Sequence, residues 1–171
     1  MPKGLAVACL ATAAFAALPV ANALACAGAQ SSPHSGATDT YARAVECLVN
    51  QERAAAGLRG LTHDRRLARA ARRFSSAMVR QRFFDHVSPS GSTLGQRARA
   101  AGYDGDSLGE TLGWWSGELA TPAAIVQGWM DSPPHRAILL DGGFRKIGLG
   151  IASGSPVGLS GAVTVTADFG G

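Results

Sequence analysis

Two stretches near the end of this chain carry the pattern of strands, and every periodic stretch before them repeats at helical spacing. That order limits the fold class more than any composition figure does. Residues 144–152 carry Phe144, Ile147, Leu149 and Ile151, and residues 162–169 repeat Val163, Val165, Ala167 and Phe169. The Gly/Ser/Pro-rich turn between them predicts an antiparallel hairpin. Upstream, Tyr41, Val45, Leu48 and Val49 predict a helix over 39–56 that Gly57 stops. After a connector from Leu58 to Leu61, Thr62 or Asp64 can cap a second helix running to about Arg82. Its apolar stripe is Leu67, Ala70, Ala71, Phe74, Ala77 and Met78, with arginines opposite. The alanines permit close approach to a neighbouring layer. Ser88 to Gly91 turns the chain, and a short helix near Thr93–Ala101 ends at Gly102. Thr121-Pro122 opens another helix, which carries Ile125, Val126 and Trp129 and breaks before Pro133. Helices first and strands last predict a layered α+β domain, not a Rossmann fold.

The first 25 residues read separately. Lys3 gives a positive start, Leu5 to Leu18 is almost wholly apolar, and Ala23-Leu24-Ala25 matches a small-x-small cleavage site. The run is too short to predict a transmembrane anchor. The expectation is a signal peptide over 1–25, a flexible arm over 26–38, one domain over 39–171, and a secreted or cell-envelope location. With Cys9 in the signal, Cys26 and Cys47 remain, in a compartment that permits disulfides. A Cys26–Cys47 bridge would tie the Gly/Ser/Pro-rich arm to the first helix; lipidation of Cys26 is the alternative.

The net charge is +4, and Lys3 and Lys146 are the only lysines among 16 basic residues. Arginines cluster at Arg65, Arg66, Arg69, Arg72, Arg73, Arg80 and Arg82. They read as the solvated face of an amphipathic helix or as a footprint for an anionic polymer such as cell-wall polymer or lipid headgroup. Nucleic acid is not an expected partner: there is no zinc-finger spacing and no aromatic RNA motif.

Three ionisable residues stand outside these patterns. His86 follows Phe83-Phe84-Asp85, His135 follows Ser132-Pro133-Pro134, and Glu110 sits in Gly109-Glu110-Thr111-Leu112-Gly113-Trp114-Trp115. His86 can equally end a helix, where the dipole favours it. Ser132 can cap a helix with Pro133 in its first turn. His135 would then lie near a helix N-terminus, which keeps its ring neutral and able to ligate or accept a proton. No HExxH or similar local metal motif is present. If the two imidazoles and the carboxylate converge, they can bind a metal or shuttle protons.

Taken together, the segments resemble the bacterial branch of the cysteine-rich secretory protein, antigen 5 and pathogenesis-related-1 (CAP, or SCP-like) superfamily. The resemblance runs in order through Cys47-Leu48-Val49-Asn50-Gln51-Glu52-Arg53 with Gly57-Leu58, and Leu67 through Met78. It continues through Phe83-Phe84-Asp85-His86-Val87-Ser88-Pro89, Arg99-Ala100-Ala101-Gly102-Tyr103 and Gly109-Glu110. Trp129-Met130-Asp131-Ser132-Pro133-Pro134-His135-Arg136, Phe144 through Gly150, and Asp168-Phe169-Gly170 close it. The resemblance implies a three-layer α–β–α sandwich around a central antiparallel sheet. It also implies a groove where His86, Glu110 and His135 meet. Pro134 stands where the family has glycine, and Thr111 where it has asparagine. The second glutamate of eukaryotic relatives is Ser132 here, beside Asp131.

Three functions follow as expectations. His86 and His135 would hold zinc or another divalent metal; the two histidines are one short of the usual catalytic three, and Glu110 could complete the shell. A metal-dependent hydrolase of peptide or cell-envelope substrates, with Glu110 as base, is the second. The third, which the family's diversity supports best, is a secreted binding domain for a lipid, glycan or protein ligand. In that case Trp114 and Trp115 line the groove or fill the core.

Overall fold

A computed structural model describes residues 26–32 and 38–171. The expected export segment, residues 1–25, and residues 33–37 of the arm lie outside the described residues. The element order is α1 (Thr38–Ala55), β1 (Thr62–His63), α2 (Arg65–Gln81), α3 (Leu94–Ala100), β2 (Leu108–Ser116), a 3-10 turn (Gly117–Leu119), α4 (Pro122–Asp131), α5 (Pro133–Leu139), β3 (Lys146–Ser153) and β4 (Ala162–Gly170).

The helix signals act locally as their chemistry predicts. Asp64, not Thr62, caps α2, accepting from the amides of Arg66 and Leu67. Arg82 closes that helix in the left-handed region, at φ 53°. Thr93 and Gln96 form a reciprocal capping box on α3, and Thr121 caps α4 with Pro122 in its first turn.

The strands order as β1-β3-β4-β2. The predicted β3–β4 hairpin is present, and β2 pairs antiparallel with β4 on its far side. The two-residue β1 lies parallel to β3, so the sheet is antiparallel except at that edge. Odd-numbered residues of β3 and β4 (Ile147, Leu149, Ile151, Val163, Val165, Ala167, Phe169) join a core with Tyr41, Val45 and Val49 of α1 and Ile125, Val126 and Trp129 of α4. The other face packs on α2. A Cβ on Gly148 would fall 2.1 Å from the Ala68 amide nitrogen, and one on Gly150 2.1 Å from the Ala71 carbonyl carbon. Helix backbone therefore rests directly on strand backbone, which the small residues of α2 allow. Ser75 Oγ completes that layer, donating to Gly150 O at 2.9 Å and meeting Thr166 Oγ1 at 2.7 Å.

Cys26 and Cys47 are bridged. The bridge holds the arm against α4 as well as α1, because the Ala29 carbonyl accepts from the Ala123 amide at 3.0 Å. That amide lies in the first turn of α4, where a helix supplies no partner of its own. Arg53, fully buried, ends α1 by donating to backbone carbonyls at Arg59, Leu139 and Asp141 (2.7–3.0 Å) and, at 3.5 Å, at Phe144. It thereby pins the chain between α5 and β3. Among the described residues no helix is long and apolar enough to cross a membrane.

Candidate functional site

The site is built on β2, a strand the sequence pattern does not announce. Glu110 occupies its third position, directly opposite Asp168 of β4. The Trp129 indole Nε1 donates to Leu112 O at 3.1 Å. That carbonyl therefore faces away from β4, and by alternation Glu110 and Asp168 form a non-hydrogen-bonded pair, the type whose side chains lie closest. Both point to the α2 face, where Leu112 packs with Phe74 and Met78.

Glu110 is 3% exposed at its side chain, and both of its oxygens are engaged. Oε1 meets His86 Nδ1 at 2.8 Å, and Oε2 accepts from Arg97 Nη2 at 2.5 Å. Arg97 comes from α3, with its guanidinium 3.4 Å from the centre of the Phe74 ring. Its Nη1 donates to the carbonyls of His86 (3.0 Å) and Ser92 (2.8 Å), tying down the loop that carries the histidine. His86 itself lies beyond the α2 cap, so it does not end that helix. Its side chain is 57% exposed, flanked by exposed Phe84 and Val87. The imidazole is thus oriented from beneath and open above, with Nε2 unengaged among the described residues.

His135 sits in the first turn of α5, after Ser132 and Pro133 as expected. Ser132 occupies the cap position but makes no capping bond. Its hydroxyl instead meets His135 Nδ1 at 2.8 Å. Burial, and then the charge of His86, push the His135 pKa below the ordinary imidazole value. His86 and Glu110 therefore touch, whereas the hydrogen bond of His135 among the described residues is to Ser132. Asp131 is turned away, accepting from Gln127 Nε2 at 2.7 Å.

Arg97 and Asp168 are the residues that sequence reasoning missed. Arg97 stands outside every pattern named above, on the short helix α3. Asp168 falls between the apolar positions Ala167 and Phe169 of β4, yet it is fully buried, and neither carboxyl oxygen has a hydrogen-bond partner among the described residues. Burial first, and then the charge of Glu110, push its pKa well up, with Arg97 opposing. The clue lay in β3: glycines at 148 and 150, opposite Asp168 and Thr166, leave room for a helix to cover that face.

A divalent metal would find two imidazole nitrogens here, each on a ring already oriented through its other nitrogen. Nδ1 of His86 is held by a carboxylate and Nδ1 of His135 by a hydroxyl. Glu110 adds no third donor, since His86 and Arg97 occupy its oxygens. Among the described residues no three His, Cys, Asp or Glu side chains are grouped to hold a metal ion. The set does not fit a catalytic zinc with three protein ligands. Of the two tryptophans offered to the site, Trp115 packs on the core, edge-on to Trp129 with ring centres 6.0 Å apart. Trp114 is half-buried on the opposite face of β2.

Comparison with known proteins agrees with the geometry. The model of the cysteine-rich secretory protein family (CAP) matches residues 47–169. The uncharacterized Bacillus subtilis protein YkwD is 34% identical over 116 residues, 67% of this chain and 44% of its own length. The uncharacterized B. subtilis membrane protein YlbC is 32% identical over 104 residues, 61% of this chain and 29% of its own. The chain thus spans less than half of either relative. An extracellular SCP-domain protein from Bacillus anthracis superposes with a TM-score of 0.68 at 26% identity, covering 77% of this chain and 40% of that one. An outer surface protein from Borrelia burgdorferi shares the fold at a TM-score of 0.63 and 21% identity, covering 74% of this chain and 88% of its own. From Cys47 to Phe169, then, the chain belongs to the cysteine-rich secretory protein (CAP) family.

Proposed function

We propose that this is an exported CAP domain that binds an extracellular or cell-envelope ligand at the surface between the His86 loop and α5, with His86 as the principal contact. The observation that carries the reading is the mounting of that imidazole. A buried carboxylate, itself paired with a nearly buried arginine, holds Nδ1, and more than half of the ring side chain faces solvent. Ordering a side chain in advance lowers the entropic cost of binding through it. The flanking Phe84 and Val87 offer apolar area, and His135, its pKa lowered by burial, supplies a second imidazole. A glycan or lipid headgroup with hydroxyl or phosphate oxygens suits such a surface.

The geometry favours binding over hydrolysis. Glu110 is nearly buried and its oxygens already hold His86 and Arg97, so the carboxylate orients the imidazole rather than facing a substrate. The test is an imidazole NMR titration of isotope-labelled protein with soluble peptidoglycan fragments and, separately, with phosphatidylglycerol vesicles. His86 and His135 signals should move with one of the two, and Glu110→Gln should weaken that response at least fivefold. Imidazole signals that stay in place with both ligands refute the reading.

A further inference from the structure

The opposite edge of the sheet holds a second feature, independent of the histidine surface. A cleft of about 1010 Å³ opens between α1 and α2, with Leu149 and Ile151 of β3 at its floor. β1 covers only Lys146 and Ile147, so from Gly148 onward β3 has no neighbour on that side among the described residues. The direction of its backbone groups follows from the bonds at that end. Thr62 and Asp64 donate to the carbonyls of Arg145 and Ile147, and at the far end Gly154 donates to Ala162 of β4. Even residues of β3 therefore bond to β4. By alternation Leu149 and Ile151 turn both amide and carbonyl into the cleft.

The walls are electropositive. Arg65, Arg69 and Arg72 line the α2 side at helical spacing, none of them with a side-chain hydrogen bond or ion pair among the described residues. Arg43 lines the α1 side, touching only Thr40 Oγ1 at 3.5 Å among the described residues. Against these four cations stand Asp39 and Glu46, and Glu46 is already paired with His63 at 3.1 Å. Residues 1–37 of the chain contain no Asp or Glu, so its own N-terminal part does not complement the cleft in charge.

We propose that this cleft takes an extended acidic peptide, which adds as a strand to the free edge of β3 while its carboxylates meet Arg65, Arg69 and Arg72. A strand added there lies in the plane of the sheet, between the same two helix layers that enclose β3. The unpaired edge from Gly148 to Ser153, buried between the helix layers as far as Ile151, spans about 20 Å and matches about six residues. Main-chain bonds to Leu149 and Ile151 would supply affinity, and arginine–carboxylate pairing the choice of sequence.

The test is fluorescence anisotropy on the full chain with labelled Glu-Val-Glu-Val-Glu-Val. The controls are Lys-Val-Lys-Val-Lys-Val, the acidic peptide N-methylated at alternate residues, and inorganic polyphosphate. The acidic peptide should bind, the lysine peptide should not, and N-methylation should weaken binding at least tenfold. The exposed pair Arg69→Glu/Arg72→Glu should do the same, while Arg73→Glu, outside the cleft, should not. Equal binding of the methylated peptide, unchanged binding by the double variant, or binding of polyphosphate without the peptide would overturn strand addition.

Discussion

Replacing Asp168 by asparagine isolates the cost of a buried carboxyl group whose neighbour is a second carboxylate, that of Glu110. Asp168 is fully buried, both of its oxygens are unpaired among the described residues, and Glu110 faces it across the β2–β4 ladder. The folded state therefore keeps a proton on Asp168 that the unfolded chain releases at about pH 3.9. A raised folded-state pKa means this group favours folding fully below about pH 3.9 and less as pH rises toward its folded value. One proton bound only by the folded state makes stability fall by about 1.4 kcal/mol per pH unit. Asparagine has nearly the same shape and no proton to lose. The variant should match the wild type near pH 4 and exceed it by about 1.4 kcal/mol for each unit above that, levelling off once the wild-type acid ionises. Urea unfolding of both proteins at half-unit steps from pH 4 to pH 8 measures this difference directly. A difference that does not change with pH, or a wild type that gains on the variant as pH rises, would show that Asp168 is folded as a paired carboxylate and refute the reasoning.

Other consequences are measurable in the same material. Arg53→Met leaves the carbonyls of Arg59, Leu139 and Asp141 without their donor, and denaturant melts should show a loss of about 3 kcal/mol or more. Reducing Cys26–Cys47, which are 21 residues apart, should cost about 3 kcal/mol in the same assay by the loop-entropy model. An NMR titration should place the His135 midpoint below the ordinary imidazole value, and His86→Ala should raise it without restoring it fully, since burial is the larger cause.

The parts of the fold that were legible in sequence are those where one face of an element meets solvent or a cap stands alone. The α2 stripe, the Thr121-Pro122 start and the β3–β4 hairpin all have that character. β2 does not, because Gly109 and Gly113 interrupt its pattern. The reason is steric: the rings of Phe144 and Trp115 occupy the space a Cβ would need. β1 is too short to carry any pattern. Three candidate residues, His86, Glu110 and His135, were legible, and the structure brings His86 and Glu110 into contact. Their supports were not. Arg97 and Asp168 act across elements distant in sequence, and the alternation of β4 marks an outer face where α2 in fact makes an inner one. The helix following Ser132 was anticipated, but the serine's hydroxyl serves the histidine instead of the backbone.

The guanidinium of Arg97 has a consequence for motion. It joins α3, the loop carrying His86, the ring of Phe74 in α2 and the carboxylate on β2. A surface loop normally opens with little free energy and exchanges its amide hydrogens quickly. Here, opening the loop would strip a nearly buried cation of its acceptors and leave Glu110 uncompensated. The segment from His86 to Ser92 should therefore exchange with the body of the domain rather than ahead of it. The exposed imidazole is as stationary as the core that holds it.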